Sequence, residues 1–316
     1  DQEGNPVTTG AAATAAITMA PAASANSNGA ISTTVLNATA GRANFQTAAS
    51  SHNLGIWGTA GAQTLNFTAT FGTSPTTVTG SQAITLSAGD AYRVVVGTQP
   101  ARVEAGQVFD TAPTAKIQDD YGNTVTSATD SVVATLYKGA SAVSPAVTST
   151  KSATSGVASF NTTSFTVTRG TDYSMVYSVS GLVASPKTST FEITNGAART
   201  VEFTTAPVAI GAGISYGTFV SNTQASDAVP AIRVIDAANN VINSDPTAVG
   251  SEAVLTVRLV NTNGSAITDY ATGVTSANLL SGTSVTTTNG VANLSALTIR
   301  AKSGNYKLIV SASVDG

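Results

Sequence analysis

Apolar and polar residues alternate with a period of two along most of this chain, and no long run repeats them every 3.6 residues. The clearest example predicts an inward face and an outward face within one strand. The inward set is Ala253, Leu255, Val257 and Leu259, and the outward set is Val254, Thr256, Arg258 and Val260. Because Gly, Asn, Asp and Pro interrupt such runs roughly every ten residues, the pattern predicts short strands packed as an all-β sandwich.

One short turn recurs three times at an almost fixed spacing. It reads Asp1-Gln-Glu-Gly4-Asn5, Asp119-Asp-Tyr-Gly122-Asn123 and Asp236-Ala-Ala-Asn239-Asn240, at intervals of 118 and 117 residues. A period of that size indicates a repeated domain rather than a solenoid repeat. Gly or Asn at the fourth position permits positive φ, and Asp can cap the turn through its side chain.

Three further landmarks recur around this turn. One is a glycine before an alternating stretch, another is a glycine shortly before a strand-opening tyrosine, and the last is a proline six residues before a glycine. The first is found at Gly41, Gly156 and Gly290, the second at Gly170-Thr-Asp-Tyr173 and Gly304-Asn-Tyr306, and the third at Pro100–Gly106 and Pro207–Gly213. In the first copy the strand-opening landmark is looser, and its nearest match is Gly61-Ala-Gln-Thr-Leu65.

With these landmarks the sequence resembles tandem bacterial immunoglobulin-like domains, of the kind found in invasin/intimin-type adhesins and in surface-layer proteins. The resemblance implies all-β, immunoglobulin-like antiparallel sandwiches in tandem. We expect modules at residues 1–90, 91–197 and 198–316. The first is expected to lack its opening strand or strands and the third its closing strand, as in a window taken from a longer array.

The composition limits where the protein is expected to act and which kinds of partner it is expected to bind. Only 10% of residues are charged and the net charge is −3, so electrostatic capture of nucleic acid is not indicated. There is no cysteine, which excludes disulfides and thiolate chemistry. No stretch of about 20 apolar residues predicts a transmembrane helix. Together with the resemblance, this favours an extracellular, cell-surface protein whose partners are adjacent modules and copies of itself.

Charge is distributed very unevenly. Residues 4–89 contain one charged residue, Arg42, whereas residues 90–316 contain 28. One interpretation is a hydroxyl- and amide-rich surface that is freely exposed. The other is a surface buried against neighbouring subunits, where the absence of charge avoids a desolvation cost. Trp57 lies in this segment and is a candidate interface residue, although a core position is an equal alternative.

The sequence contains few residues that could catalyse a reaction or bind a cofactor. The single histidine, His52, has no carboxylate within 35 residues, so a catalytic triad is not predicted and the chain is not expected to be an enzyme. Calcium is the one cofactor with some support, because Asp119, Asp120 and Asn123 offer oxygen ligands in one turn. The alternative is that these residues only cap a turn.

Three functions follow from these observations. The first is a structural subunit of a surface layer, sheath or extracellular filament, favoured by the lack of charge in the first module. The second is the stalk of an adhesin that presents a binding head. The third is a set of carbohydrate-binding accessory modules of a secreted enzyme, which the low aromatic content of 6% disfavours because sugar sites usually present aromatic platforms.

Overall fold

The computed structural model describes residues 10, 15–21, 30–31, 35–37, 56–71, 76–208, 229–242, 253–270 and 272–314. Within them the protein is all-β, as predicted, and no helix is present. In particular, these ranges contain no helix that could span a membrane. The strands are described below under the predicted modules, called first, second and third.

The first module is built around one antiparallel sheet in the order β3-β1-β5-β6. The hairpin of β5 and β6 is its longest element, with eleven residue pairs from Gly61↔Leu86 to Phe71↔Thr76. Met19 and Leu65 are buried on one face of this sheet. The strands are β1 (Ala16–Pro21), β2 (Ala30–Ile31), β3 (Val35–Asn37), β4 (Ile56–Trp57), β5 (Gly61–Phe71) and β6 (Thr76–Leu86).

The second module is a two-sheet sandwich. One sheet has the order β11-β10-β14-β15-β8, with β12 also pairing β10, and the other has the order β13-β9-β7. Side chains of both sheets, such as Ile117 and Tyr177, are buried in one core. The strands are β7 (Arg93–Thr98), β8 (Val103–Glu104), β9 (Thr114–Gln118), β10 (Ser131–Lys138), β11 (Ser141–Ala142), β12 (Thr148–Ser152), β13 (Val157–Ser159), β14 (Gly170–Ser178) and β15 (Phe191–Thr194).

The opening strand of the second module changes sheets, which gives the proline landmark its physical reason. β7 pairs antiparallel with β9, whereas β8 pairs parallel with β15. Pro100 lies between β7 and β8, and because proline has no N–H it cannot continue a ladder. This switch between the two sheets of a mainly antiparallel sandwich is the immunoglobulin-like arrangement.

The third module repeats much of this order. Its two three-stranded sheets are β16-β17-β21 and β20-β18-β23, and β19 pairs with β22 in a smaller one. The strand β23 takes the position of β14 beside β18. In β18 the predicted inward residues are buried, but Val260, predicted to point outward, is buried as well. The strands are β16 (Thr200–Thr205), β17 (Ala231–Ile235), β18 (Ala253–Asn261), β19 (Leu280–Ser281), β20 (Ser284–Thr286), β21 (Val291–Asn293), β22 (Thr298–Ile299) and β23 (Tyr306–Val314).

The glycine landmark marks a close approach to the Asp-Asn turn. Gly156 has φ +75°, and a Cβ added there would lie 2.5 Å from the Val125 carbonyl oxygen, two residues after Asn123. Gly290 has φ +72° and would meet the Ile242 carbonyl oxygen, two residues after Asn240. The glycine therefore allows the strand that follows it to pack directly against the chain leaving the turn.

We predict that Gly156→Ala destabilises the second module more than Gly181→Ala. Both glycines have positive φ, but a Cβ at Gly181 would meet no atom within 4 Å. Gly181→Ala, the control, should therefore lower the free energy of unfolding only by the cost of a positive φ, about 1–2 kcal/mol. Gly156→Ala should lower it by about 1–3 kcal/mol more, because the added Cβ overpacks the site. Hydrogen exchange of the β10 and β14 amides measures the difference, and equal losses in the two variants would contradict the packing argument.

Candidate functional site at the module junctions

The turn from Asp119 to Asn123 is closed by its own backbone. The Asp119 N–H donates to the Asn123 carbonyl oxygen at 3.0 Å, and the Gly122 N–H donates to the Asp119 carbonyl oxygen at 3.2 Å. Gly122 has φ +87°, and Asn239 at the same place in the next copy has φ +62°. The predicted need for Gly or Asn at the fourth position is therefore confirmed.

The Asp119 side chain holds the turn and the preceding linker together. Its carboxylate accepts hydrogen bonds from the Asn123 backbone N–H and from Asn123 Nδ2, both at 2.8 Å. It also accepts one from the N–H of Gly89 at 2.9 Å. Asp119 is 2% exposed and Asn123 is also buried, whereas Gly89 is exposed. The contacts fix the orientation of the Asn123 side chain.

The Asn123 side chain then contacts the first module. Its Nδ2 donates to the Gly58 carbonyl oxygen at 2.8 Å, and its Oδ1 accepts from the Ala60 N–H at 2.7 Å. An asparagine amide has one acceptor and one donor group, so it can pair with a backbone C=O and a backbone N–H two residues apart. Asn123 therefore links the second module to the backbone of the first.

The same contacts recur at the junction of the second and third modules. The Asp236 carboxylate accepts from the N–H groups of Asn240 and Gly196, each at 2.8 Å, and from Asn240 Nδ2 at 2.8 Å. Asn240 Nδ2 also donates to the Val167 carbonyl oxygen at 3.2 Å, and the Arg169 N–H donates to Asn240 Oδ1 at 2.8 Å. We call each such pair of Asp and Asn side chains an Asp-Asn clamp.

Each clamp contacts a three-residue segment, here called the strip, that lies just before a long strand. The strips are Gly58–Ala60 before β5 and Val167–Arg169 before β14. A side chain from the following strand holds the middle carbonyl group in each case. Gln63 Nε2 donates to the Thr59 carbonyl oxygen at 3.0 Å, and the Tyr173 hydroxyl donates to the Thr168 carbonyl oxygen. The strip is therefore held in position by its own module.

Hydrogen bonding determines the ionisation of both clamp aspartates. Burial alone would raise the pKa of the Asp119 carboxyl, but hydrogen bonds from the Asn123 side chain and from the N–H groups of Gly89 and Asn123 outweigh it. The pKa therefore lies below its ordinary value of 3.8. The pKa of Asp236 is lowered in the same way, with burial opposed by Asn240 and Gly196. Both side chains are carboxylates at neutral pH.

The structure brings together two of the three residues predicted to bind calcium. Asp119 and Asn123 are in contact and buried, whereas Asp120 is exposed. Across the described ranges, no group of three or more His, Asp or Glu side chains is arranged to hold a metal ion. The calcium site at Asp119, Asp120 and Asn123 stays a prediction.

Trp57 ends β4 and directly precedes the strip residue Gly58. Its backbone therefore lies at the junction of the first and second modules. An interface role for its side chain stays a prediction, and His52 lies outside the described residues.

Sequence reasoning found the turns but missed the strips. The residues that contact Asn123 and Asn240 do so through backbone atoms, so no side-chain pattern marks them. One signal was present in the turns: between the second and third copies only the first Asp and the last Asn are shared, and the three residues between them differ. A turn that needed only positive φ would not require that terminal Asn.

Comparisons with known proteins add little to this description. No family profile matches the chain, and no curated protein is similar to it in sequence. Among solved structures it is similar to the FN1–FN3 domains of chicken CNTN1, at 9% identity and a TM-score of 0.30, covering 96% of this chain and 85% of that one. Native E. coli alpha-2-macroglobulin is matched at 10% identity and a TM-score of 0.20, covering 96% and 21%. Likeness at this level carries no functional argument.

We predict that Asn123→Ala uncouples the first two modules while leaving both folded. The change leaves the Gly58 carbonyl and the Ala60 N–H without their partner, at a cost of about 1–3 kcal/mol. Faster amide exchange at Ala60 and independent tumbling of the modules in ¹⁵N relaxation would report it. Asn161→Ala, at an exposed asparagine of the second module, is the matched control and should change neither.

We also predict a loss of junction stability in acid. Because the folded pKa of Asp119 is lowered, its contribution is fully present above the ordinary value of 3.8 and is lost as the pH falls through the lower folded value. Unfolding measured from pH 7 to pH 2 should show this loss for the parent chain and a smaller one for Asp119→Asn. Asp120→Asn, at the exposed neighbour, should behave like the parent. Identical acid profiles for all three chains would contradict the assignment.

Proposed function

We propose that this protein is a structural subunit of an extracellular surface assembly, such as a surface layer, a sheath or a filament. Its immunoglobulin-like modules would follow one another through Asp-Asn clamps, and its first module would contact neighbouring copies. The observation that carries the proposal is an exposed face of the first module that contains no charged residue. The charge-poor stretch noted in the sequence thus includes exposed strand positions.

This face consists of alternate residues on three adjacent strands, β1, β5 and β6. The register places Thr18 beside Thr68 and Thr68 beside Thr79, so one row of threonines crosses the sheet. All the exposed residues of the face are small, and they carry hydroxyl, amide or methyl groups. They are Ala16, Thr18, Ala20, Ala62, Thr64, Asn66, Thr70, Thr77, Thr79, Ser81, Ala83 and Thr85.

The physical reason is desolvation. Burying an unpaired charge in a contact costs several kcal/mol, whereas methyl groups and hydroxyls that find partners are buried at far lower cost. The strands of the second module differ, because they present charged side chains at exposed or half-buried positions, including Lys116, Lys138 and Lys151. Within the described part of the chain, the first module is therefore the better suited to extensive contact.

The edge formed by β6 supports the same proposal. Among the described strands β6 pairs only with β5, although it is eleven residues long and exposed over most of its length. Its counterpart in the second module, β15, has β14 on one side and β8 on the other. Edge strands normally carry charges that prevent pairing with other chains, and β6 carries none.

The proposal predicts that lysine on this face blocks assembly. Thr18→Lys or Thr68→Lys places a charge in the threonine row, and a buried lysine without a partner costs several kcal/mol. Ordered arrays of the parent chain should be visible by electron microscopy and should be absent in either variant. Thr135→Lys, on β10 in the second module, is the control and should still assemble. Circular dichroism must show that all variants fold.

Arrays formed equally well by the Thr18→Lys and Thr68→Lys chains would overturn the contact assigned to the first module. So would a parent chain that never assembles. Either result would favour the second candidate below.

The second candidate is the stalk of an adhesin, and the clamps favour it. A stalk needs defined contacts between successive modules and no lateral contacts, and the clamps supply such contacts at both junctions. The two candidates differ in whether the first module's uncharged face is covered. The lysine variants therefore discriminate between them.

A further inference from the structure

The third module contains a cavity along one edge of β18, with a volume of about 350 Å³. That volume is within the range of pockets that bind small ligands. One wall is β18 itself, at residues 257–260, and another is the connection from β18 to β19, here called the lobe and described at residues 262–270 and 272–279. Ile267 and Leu279 of the lobe are buried with Leu259 in a small core of their own. Packing therefore holds the lobe beside the cavity.

The edge of β18 that faces the cavity carries unpaired backbone groups. The Val257 N–H donates to the Thr283 carbonyl oxygen at 2.8 Å, and the Asn261 N–H donates to that of Ser265 at 2.9 Å. Because backbone groups alternate between the two edges of a strand, those of Leu259 point to this same edge, away from β23. Within the described residues, neither the N–H nor the C=O of Leu259 makes a hydrogen bond. Leu259 is buried, and buried backbone groups without a partner are rare.

The second module shows what fits against such an edge. Leu136 in β10 has the place of Leu259, because each lies opposite the residue two positions after a strand-opening tyrosine. The Leu136 N–H donates to the Val147 carbonyl oxygen at 2.9 Å, and its C=O accepts from the Val143 N–H at 3.0 Å. Both partners belong to the chain that links β11 to β12. The second module therefore closes this edge with its own backbone, whereas in the third module the same edge faces the cavity.

We propose that this cavity binds a short extended peptide segment of a partner protein, which pairs antiparallel with β18 at Leu259. One peptide residue opposite Leu259 completes both bonds, because its N–H donates to the Leu259 carbonyl oxygen and its C=O accepts from the Leu259 N–H. Binding of this kind adds a strand to an existing sheet. The inference goes beyond the proposed function and does not depend on it.

The walls of the cavity define the side chains of the peptide. Residues directly opposite each other in an antiparallel pair project on the same face, so the central peptide side chain lies on the face of Leu259. That face is apolar, with Ile267 and Leu279 buried and Tyr270 half-buried beside it. Arg258 is the only charged residue that lines the cavity. The peptide should therefore have an apolar central residue and neutral or acidic neighbours.

Titration of the full chain with the capped tripeptide acetyl-Ala-Val-Ala-amide tests the site by ¹⁵N–¹H NMR. At saturation the amide proton of Leu259 should exchange with solvent about tenfold more slowly, because it gains a hydrogen bond, and that of Leu136 should not change. The same tripeptide with an N-methylated valine cannot donate to the Leu259 carbonyl oxygen and should bind at least about tenfold more weakly. A central lysine in place of valine should weaken binding as well, because its charge would enter an apolar site.

A variant that fills the cavity locates the site on the protein. Ala277 is exposed and lines the cavity, so Ala277→Trp should occupy it and abolish binding of the tripeptide. Thr268→Trp is the matched control, because Thr268 is an exposed residue of the lobe that does not line the cavity. Circular dichroism must show that both variants fold. If Ala277→Trp does not fold, the N-methylated tripeptide on the parent chain still decides the question.

The outcomes are distinct from those that test the proposed function. Slower exchange at Leu259, lost with the N-methylated tripeptide and in Ala277→Trp, supports the peptide site. An amide of Leu259 that responds to no concentration of the tripeptide overturns it, and so does equal binding of the N-methylated tripeptide or equal binding by a folded Ala277→Trp chain. None of these results changes the interpretation of the lysine variants of the first module.

Discussion

Each junction between successive modules depends on one asparagine side chain, whose amide forms hydrogen bonds within its own module and to the preceding module. Asn123 and Asn240 each use the amide group as a substitute for a strand backbone, meeting a C=O and an N–H of the preceding module. Such an amide could rotate and lose both bonds. The buried aspartate four residues earlier prevents this, because its carboxylate accepts a hydrogen bond from Nδ2 and fixes the plane of the amide. The aspartate therefore orients the junction without contacting the neighbouring module's strip.

The position of the turn in the fold explains why it can have this role. It follows β9 or β17, and it is packed from within by a strand that begins after a positive-φ glycine, Gly156 or Gly290. The strip on the other side precedes β14 in the second module and β5 in the first. Both halves of a junction are therefore held by strands of their own module, so the contact joins two preorganised segments.

Much of this fold could be predicted from the sequence, and the reason is local. Positive φ at Gly122 and Asn239 and the burial alternation in β18 are properties of a residue and its immediate neighbours. The residues of the clamp could be predicted from the sequence, but their role at the junction could not. Asp119 and Asn123 stood out, but their role was interpreted as capping or calcium binding, because the strip that receives them is recognised through backbone atoms. Gly58-Thr-Ala60 and Val167-Thr-Arg169 share only a threonine, and backbone atoms of both segments make the bonds to Asn123 and Asn240.

A junction that depends on side chains from one partner only has an evolutionary consequence. Where two surfaces meet through side chains on both sides, a change on one side requires a compensating change on the other. Here the receiving side offers a carbonyl and an N–H that nearly every amino acid supplies. A gene encoding such a module could be duplicated, deleted or reordered within an array, and the new neighbours would fit as long as the Asp and the Asn were retained. Array length and surface chemistry could then diverge independently, as the contrast between the charge-poor first module and the charged second one illustrates.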